Sequence, residues 1–472
     1  MRNKKISIIL LFFFMVVLMC LFMDKGIDYY FHIKTGEYII NNFSIPSNFL
    51  YSWYAISNNI NLVVHEWLST IFIYIYHVIF KNFGSLFYVL SISSILSFIL
   101  YKFNSKVLLK KRLIYYIPFI ILASINLGFY TSPRPHIISW ILFVLTIYLC
   151  YDFYKSNNKK KKIYFLPVIA ILWSNLQGGS SNFVYLIPIL FLLIGLFNFD
   201  RFGLFNKKIS KERSKKLLLI ILLCIGGICL NPYGIKMLLV PYQYIINQDI
   251  LRYIEEWQML RINTQEGLLG YIFILYSLFI FFKTKSKLDL KDFMLYLIFT
   301  VASIVSYRFT PYLVLAMFLI IPKYLDDKVK TSNYLYLVLG IIIAIIGLLL
   351  IQSKNLYLSL NNKPIADGII NYLKTNEPKR LYNDYNIGGY LIYHEIPTFI
   401  DGRNNGYLDY NLQDYYDMTF NDNGNISELI EKYDFDMALV RNTYFIDHYF
   451  KFNKEYALVI KDNNYSLYRK ID

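Results

Sequence analysis

Asp28 and His32 lie four residues apart, the spacing at which two side chains share one face of a helix, and Gly36 follows a further turn along. A carboxylate beside an imidazole can act as a general base, with both proton affinities set by burial and by each other. A solvated helix cap or loop would hold the same two residues. His65 and Glu66 sit just before an apolar run and could meet an acceptor, a metal or Arg134. Arg134 and His136 fall where one apolar run ends and the next begins, and Arg308 lies at the end of another. An ionised arginine costs roughly 2.5–3.5 kcal/mol at the centre of a bilayer and less toward its edges, so it snorkels or pairs with an anion. A lipid phosphate, which a guanidinium grips with two parallel bonds, would be such a partner. Gln177, in the turn Asn175–Gly179, and Glu256, beside Trp257, are further polar groups between apolar runs. Asp401-Gly402-Arg403 could contact substrate or form a turn with a local ion pair.

The elements that must position these groups are membrane helices. Of 472 residues 56% are apolar and 17% charged, with the apolar ones in long runs, a composition that excludes a single soluble core. The net charge of +16 invites a nucleic-acid reading, but the basic residues occur in short clusters between apolar runs, the pattern of positive-inside topology. Cys20, Cys150, Cys224 and Cys229 all fall in apolar runs without metal spacing, so no disulfide framework or zinc site is implied.

Met1–Lys5 is basic and Ile6–Met23 apolar, so the chain starts inside and crosses outward. With an outer loop over 24–66 and Trp67–Phe80 lying along the interface, ten further crossings follow, near Leu86–Tyr101, Leu113–Phe129, Ile137–Tyr151, Ile163–Leu176, Phe183–Phe199, Leu217–Leu230, Leu268–Phe282, Phe293–Ser306, Tyr312–Ile321 and Tyr334–Ile351. The inner connections then hold 27 Lys and Arg against 7 Asp and Glu. Making Trp67–Phe80 a crossing would turn those basic connections outward. The fold class expected is a mostly α polytopic membrane protein of about eleven spans over 1–351, followed over 352–472 by a small extracytoplasmic α/β domain. In that tail Ile365–Leu373 and Ile426–Tyr433 read as helices, and Arg380–Tyr382, Thr398–Ile400, Met437–Val440, Tyr456–Ile460 and Ser466–Tyr468 as strands. The location expected is the cell membrane with a cytoplasmic N-terminus, and the polar features outside the lysine clusters all reach the outer face.

The pattern of Asp28, His32 and Gly36, then Ile45-Pro46, Tyr51-Ser52 and His65-Glu66-Trp67-Leu68, resembles bacterial polytopic glycosyltransferases of the GT-C type. Arg134-Pro135, Trp173 with Asn175-Leu176 and Gly178-Gly179, Asn231-Pro232 with Gly234, Glu256-Trp257, Gly388-Gly389-Tyr390-Leu391 and Asp401-Gly402-Arg403 fit the same group in the same order. Gln177 departs from it, since that group usually carries His there. The resemblance implies an inverting transferase that takes sugar from a polyprenyl-phosphate-linked donor to a glycan, lipid or protein acceptor. It implies Asp28 as the base and Arg134, His136 and Arg308 at the lipid phosphate. His32, His65, Glu66, Gln177 and Glu256 would then support the acceptor or the electrostatics. A divalent cation is left open as a cofactor. Two other classes carry the same apolar pattern: a non-catalytic envelope assembly protein whose tail binds a partner, and a lipid or glycan transporter. The second lacks charged residues at the middle of its spans and any inverted repeat.

Overall fold

The computed structural model describes residues 2–24, 26, 28–155, 161–246, 248–284, 286–326, 363–403, 411–420 and 425–471. Ten of the eleven expected crossings coincide with helices, beginning with Arg2–Leu21, Gly84–Leu108, Tyr116–Phe129 and His136–Lys155. The eleventh, Tyr334–Ile351, lies outside the described residues. Among the described residues five helical stretches are long and apolar enough to cross a membrane: Asn3–Leu21, Trp67–Leu108, His136–Lys155, Gly178–Gly195 and Gln265–Lys283. Others fall short on length. Leu166–Leu176 has 11 residues, about 16 Å of helix against a hydrocarbon core of about 30 Å.

The chain divides into two compact units, each discontinuous in sequence. The first takes in Met1–Asp24, Ser85–Pro241 and Glu255–Leu360. Its central element is the helix Thr310–Tyr324, apolar all round and buried along nearly its whole length, as a helix surrounded by others must be. The helices Tyr116–Phe129, His136–Lys155, Gln265–Lys283 and Leu290–Val305 pack against it. At the basic end of this unit the Lys4 ammonium donates to the carbonyls of Leu109 (2.8 Å) and Lys111 (2.5 Å), two groups just past the end of Gly84–Leu108. A cation is well placed there, where a helix leaves its last carbonyls unbonded.

The second unit takes in Lys25–Gly84, Tyr242–Ile254 and Asn361–Asp472. Its four-stranded sheet runs in the order Leu381–Asn383, Met437–Arg441, Tyr465–Lys470, Tyr456–Lys461, with the first pair parallel and the others antiparallel. Along the second strand Met437 and Leu439 enter one core while Ala438 and Val440 enter the other, the period-two alternation of a strand buried on both faces. Tyr30 joins the first core, and Phe49, Ala55, Ile60, Leu62 and Val64 join the second. The segment expected as an outer loop thus helps build the core of the tail. Thr398–Ile400, expected as a strand, does not join the ladder: the Asn383 side chain bonds the Phe399 amide (2.7 Å) and the Ile400 carbonyl (2.8 Å) in its place.

Within this unit the expected loop is largely helical, as Asp28–Asn42 and the short Trp53–Ser57. The apolar stretch Trp67–Leu108 breaks at Lys81, whose φ of 51° lies in the left-handed region, so Trp67–Phe80 is a helix of its own. It packs on Asp28–Asn42 through Ser69, Thr70 and Ile73 and leaves Phe72, Ile75, Val78 and Ile79 exposed. That is the reverse of a soluble surface helix.

Candidate functional site

Apart from Gln177, the residues singled out in the sequence fall into two clusters, one in each unit. In the second unit Asp28, His32 and Gly36 form a single stripe along Asp28–Asn42, and each meets a different neighbour. Gly36 allows the two long helices to touch, since a Cβ there would overlap the Thr70 carbonyl oxygen and lie 2.8 Å from the Tyr74 Cβ. His32, buried one turn earlier, turns Nδ1 toward Glu66 Oε1 at 3.9 Å. Glu66 is the residue before Trp67–Phe80, and its other oxygen is 2.5 Å from His65 Nε2. His65 and Glu66 therefore meet each other, and Glu66 also faces His32.

Asp28 stands at the first position of its helix, where the macrodipole favours a negative charge, and it is buried. Its carboxylate rests against Gly402, the middle residue of the Asp401–Arg403 turn. In that turn Arg403 donates Nε to one Asp401 oxygen (2.8 Å) and Nη2 to the other (2.7 Å), the two-pronged bond that a guanidinium makes best. The local ion pair read from sequence is present, and the residue between its partners lies on Asp28. Their separation along the chain hides that contact from sequence reasoning.

In the first unit Glu256 lies between two arginines. Arg134 Nη1 donates to its Oε1, and Arg308 Nη1 to its Oε2 at 2.7 Å. The Arg308 guanidinium also lies 5.0 Å from the centre of the Trp257 ring, within cation–π range. The Ser306 hydroxyl donates to the Glu256 carbonyl (3.2 Å), and Tyr307 N–H to the Gln258 carbonyl (3.1 Å), which ties the turn Glu255–Trp257 to the turn Tyr307–Phe309. Two cations and one anion leave the triad positive. The role of Glu256 as shared counter-ion had no signal in the sequence beyond its place beside Trp257.

His136 is held by a bond between Nε2 and the Tyr130 carbonyl (2.9 Å) and by an edge contact to Trp140. Gln177 is buried in a separate network. Its Oε1 accepts from the Ser139 hydroxyl (3.1 Å) and from the Ser180 amide (3.0 Å) and hydroxyl (2.6 Å), while Trp173 Nε1 donates to Ser139 (2.9 Å). These contacts cap the turn Gly178–Ser180. Among the described residues no group of three or more His, Cys, Asp or Glu side chains is arranged to hold a metal ion.

Burial raises the proton affinity of Glu256, but the charges of Arg134 and Arg308 outweigh it and hold its carboxyl down to about 2 from an ordinary 4.5. A lowered folded value gives stability that is present above the unfolded pKa and lost as pH falls toward the folded one. The destabilisation caused by Glu256→Gln should accordingly stay constant from pH 8 to about 5 and shrink only below that, when thermal unfolding of the two proteins in detergent is compared across pH. A difference already gone at pH 5 would show that the arginines do not hold the carboxylate.

No family model and no curated protein matches the chain. Among solved structures it is similar to the oligosaccharyltransferase of Archaeoglobus fulgidus. Against the form tethered to an acceptor peptide containing the NVT sequon, the TM-score is 0.50 at 13% identity, over 92% of this chain and 69% of that one. Against the apo form it is 0.49 at 13% identity, over 93% and 69%. The likeness is one of fold, and with the apolar helices it makes this chain a mostly helical membrane protein with an oligosaccharyltransferase-like architecture.

Proposed function

We propose that the chain is a membrane glycosyltransferase that moves a sugar from a polyprenyl-phosphate-linked donor to an acceptor hydroxyl or amide on the outer face of the membrane. The observation that carries this reading is the stripe Asp28, His32, Gly36, with a buried carboxylate at a helix N-terminus and an imidazole one turn on. The fold likeness to an oligosaccharyltransferase supports it. In the reaction Asp28 takes the proton of the acceptor group, whose oxygen or nitrogen attacks the anomeric carbon. The bond from that carbon to the lipid phosphate oxygen breaks, and its electron pair leaves on the phosphate. One displacement inverts the anomeric centre.

Arg134 and Arg308 are assigned to the charge that develops on the phosphate, the kind of preorganised electrostatic aid that accounts for much of catalysis. Glu256 keeps the two guanidiniums side by side while leaving their sum positive. His32, Glu66 and His65 are assigned to the acceptor side and His136 to the donor side, and Gln177 supports its turn. The exposed apolar side of Trp67–Phe80 is assigned to the lipid surface, in keeping with the eleven-span arrangement expected from charge.

The test uses membrane vesicles of both orientations from cells that produce the chain, supplied with a labelled polyprenyl-phosphate sugar. Label should pass to an acceptor fraction in right-side-out vesicles and not in sealed inverted ones. Transfer confined to inverted vesicles would reverse the topology, and label that never leaves the lipid in any of a panel of donor sugars would favour the assembly-protein reading.

A further inference from the structure

The turn Asp401–Arg403 is built with a rigidity that its own ion pair does not require. Asp401 is fully buried and accepts from three Arg403 donors, the backbone amide (2.9 Å), Nε and Nη2. Arg403 Nη2 also donates to the Leu50 carbonyl (3.0 Å), and its guanidinium lies 4.9 Å from the centre of the Phe49 ring. On the turn's other side Gly388 has no room for a side chain, because a Cβ there would overlap the Ile400 carbonyl oxygen and lie 2.7 Å from the Asp401 Cβ. The turn is thus pinned by the Phe49 ring, the Leu50 carbonyl and Gly388, and the residues just before it by Asn383.

Gly402, in its middle, is not among the glycines with a left-handed backbone, which among the described residues are Gly26, Gly203 and Gly234. It is therefore a glycine for space, and the space is taken by Asp28. A Cβ on residue 402 would overlap Asp28 Oδ1, come within 3.0 Å of its Cγ and lie 3.2 Å from Phe31 Cε1.

We propose that Gly402, held by the Asp401–Arg403 pair, is a positioning residue that fixes the rotamer of Asp28. The inference rests on the reading of Asp28 as the base. Asp28 has two side-chain torsions and sits on a helix end packed from several sides. A fixed wall at Gly402 removes the alternatives, as a second tier of contacts does for a group that must stay within a fraction of an ångström of its working place. The obstructed atom is the tip of a short side chain, so a methyl group at 402 turns the carboxylate away and leaves the backbone where it is.

Gly402→Ala decides the matter with two readouts. One is labelling of Asp28 in the purified full chain by a water-soluble carbodiimide and glycine ethyl ester, quantified by peptide mass spectrometry. The other is transfer kinetics with the polyprenyl-phosphate donor. Labelling is expected to rise several-fold over wild type and kcat to fall about 100-fold, as a displacement near 1 Å does, while KM for the donor stays unchanged. Gly368→Ala, at a glycine of the same unit whose Cβ would meet nothing within 4 Å, should alter neither. If the 402 variant does not accumulate, Arg403→Lys, which keeps the charge but loses the two-pronged bond, should raise Asp28 labelling in its place. Unchanged labelling and kcat in a folded Gly402→Ala protein, or unchanged labelling in Arg403→Lys, overturns the proposal while leaving Asp28 as the base. Raised labelling together with a fully active Asp28→Asn protein removes the base assignment and overturns the proposed role in catalysis.

Discussion

Asp28→Asn is expected to insert, fold and bind donor like wild type and to lose transfer by a factor of about 10²–10⁴, the usual contribution of a positioned general base. The amide has the shape of the carboxylate, so the contact with Gly402 and the packing of Asp28–Asn42 on Trp67–Phe80 persist. What it lacks is an oxygen able to accept a proton from the acceptor at neutral pH. The loss of a negative charge at a helix N-terminus costs roughly 0.3–1 kcal/mol, too little to unfold the unit. The loss should therefore appear in kcat, with KM for the donor within its wild-type range, and raising the pH should not restore it. His32→Gln, which keeps a polar group facing Glu66, should lose far less. A retained rate in Asp28→Asn would move the base to Glu66 or His65, the other ionisable groups of the cluster.

That prediction draws on what sequence spacing can carry. A four-residue repeat along one helix is local, so Asp28, His32 and Gly36 could be placed on one face without knowing what the face meets. The long apolar runs were equally legible, because a helix that satisfies its own backbone is the form an apolar run takes in lipid. Contacts between distant segments were not legible. Phe49 and Leu62 look like residues of an outer loop until they appear in the same core as Tyr382 and Val440. Thr398–Ile400 has the composition of a strand, yet its backbone bonds go to Tyr51, Trp53 and the side chains of Asn383 and Asn411. Glu256 follows another acidic residue, and only the fold puts it between Arg134 and Arg308. Gln177 is a departure from the resemblance at the level of sequence, whereas in the structure it caps a turn.

The largest effect on stability is expected at Asp292, at the opposite end of Leu290–Val305 from Ser306. It is buried near the start of Leu290–Val305 and gathers groups from two other helices. The hydroxyls of Tyr151 and Tyr324 donate to it, the second at 2.6 Å, and the Lys323 ammonium reaches its two oxygens at 2.9 and 3.2 Å. Lys323 also lies 3.5 Å from the centre of the Tyr151 ring. Tyr151 belongs to His136–Lys155, and Lys323 and Tyr324 close Thr310–Tyr324, the central helix that starts just after Arg308. Removing one partner of a buried pair costs about 3–5 kcal/mol because the other is left uncompensated, and the partial exposure of Lys323 puts Asp292→Ala toward the lower end of that range. Lys323→Met should cost less, since the two tyrosines still donate to the carboxylate and the methionine keeps the apolar stem. The ordering, with Asp292→Ala least stable, Lys323→Met intermediate and wild type most stable, is read from unfolding midpoints in detergent. The same midpoints for both variants would mean that the tyrosine hydroxyls contribute nothing. An Asp292→Ala protein that melts like wild type would mean that packing alone holds the far end of the helix that follows Arg308.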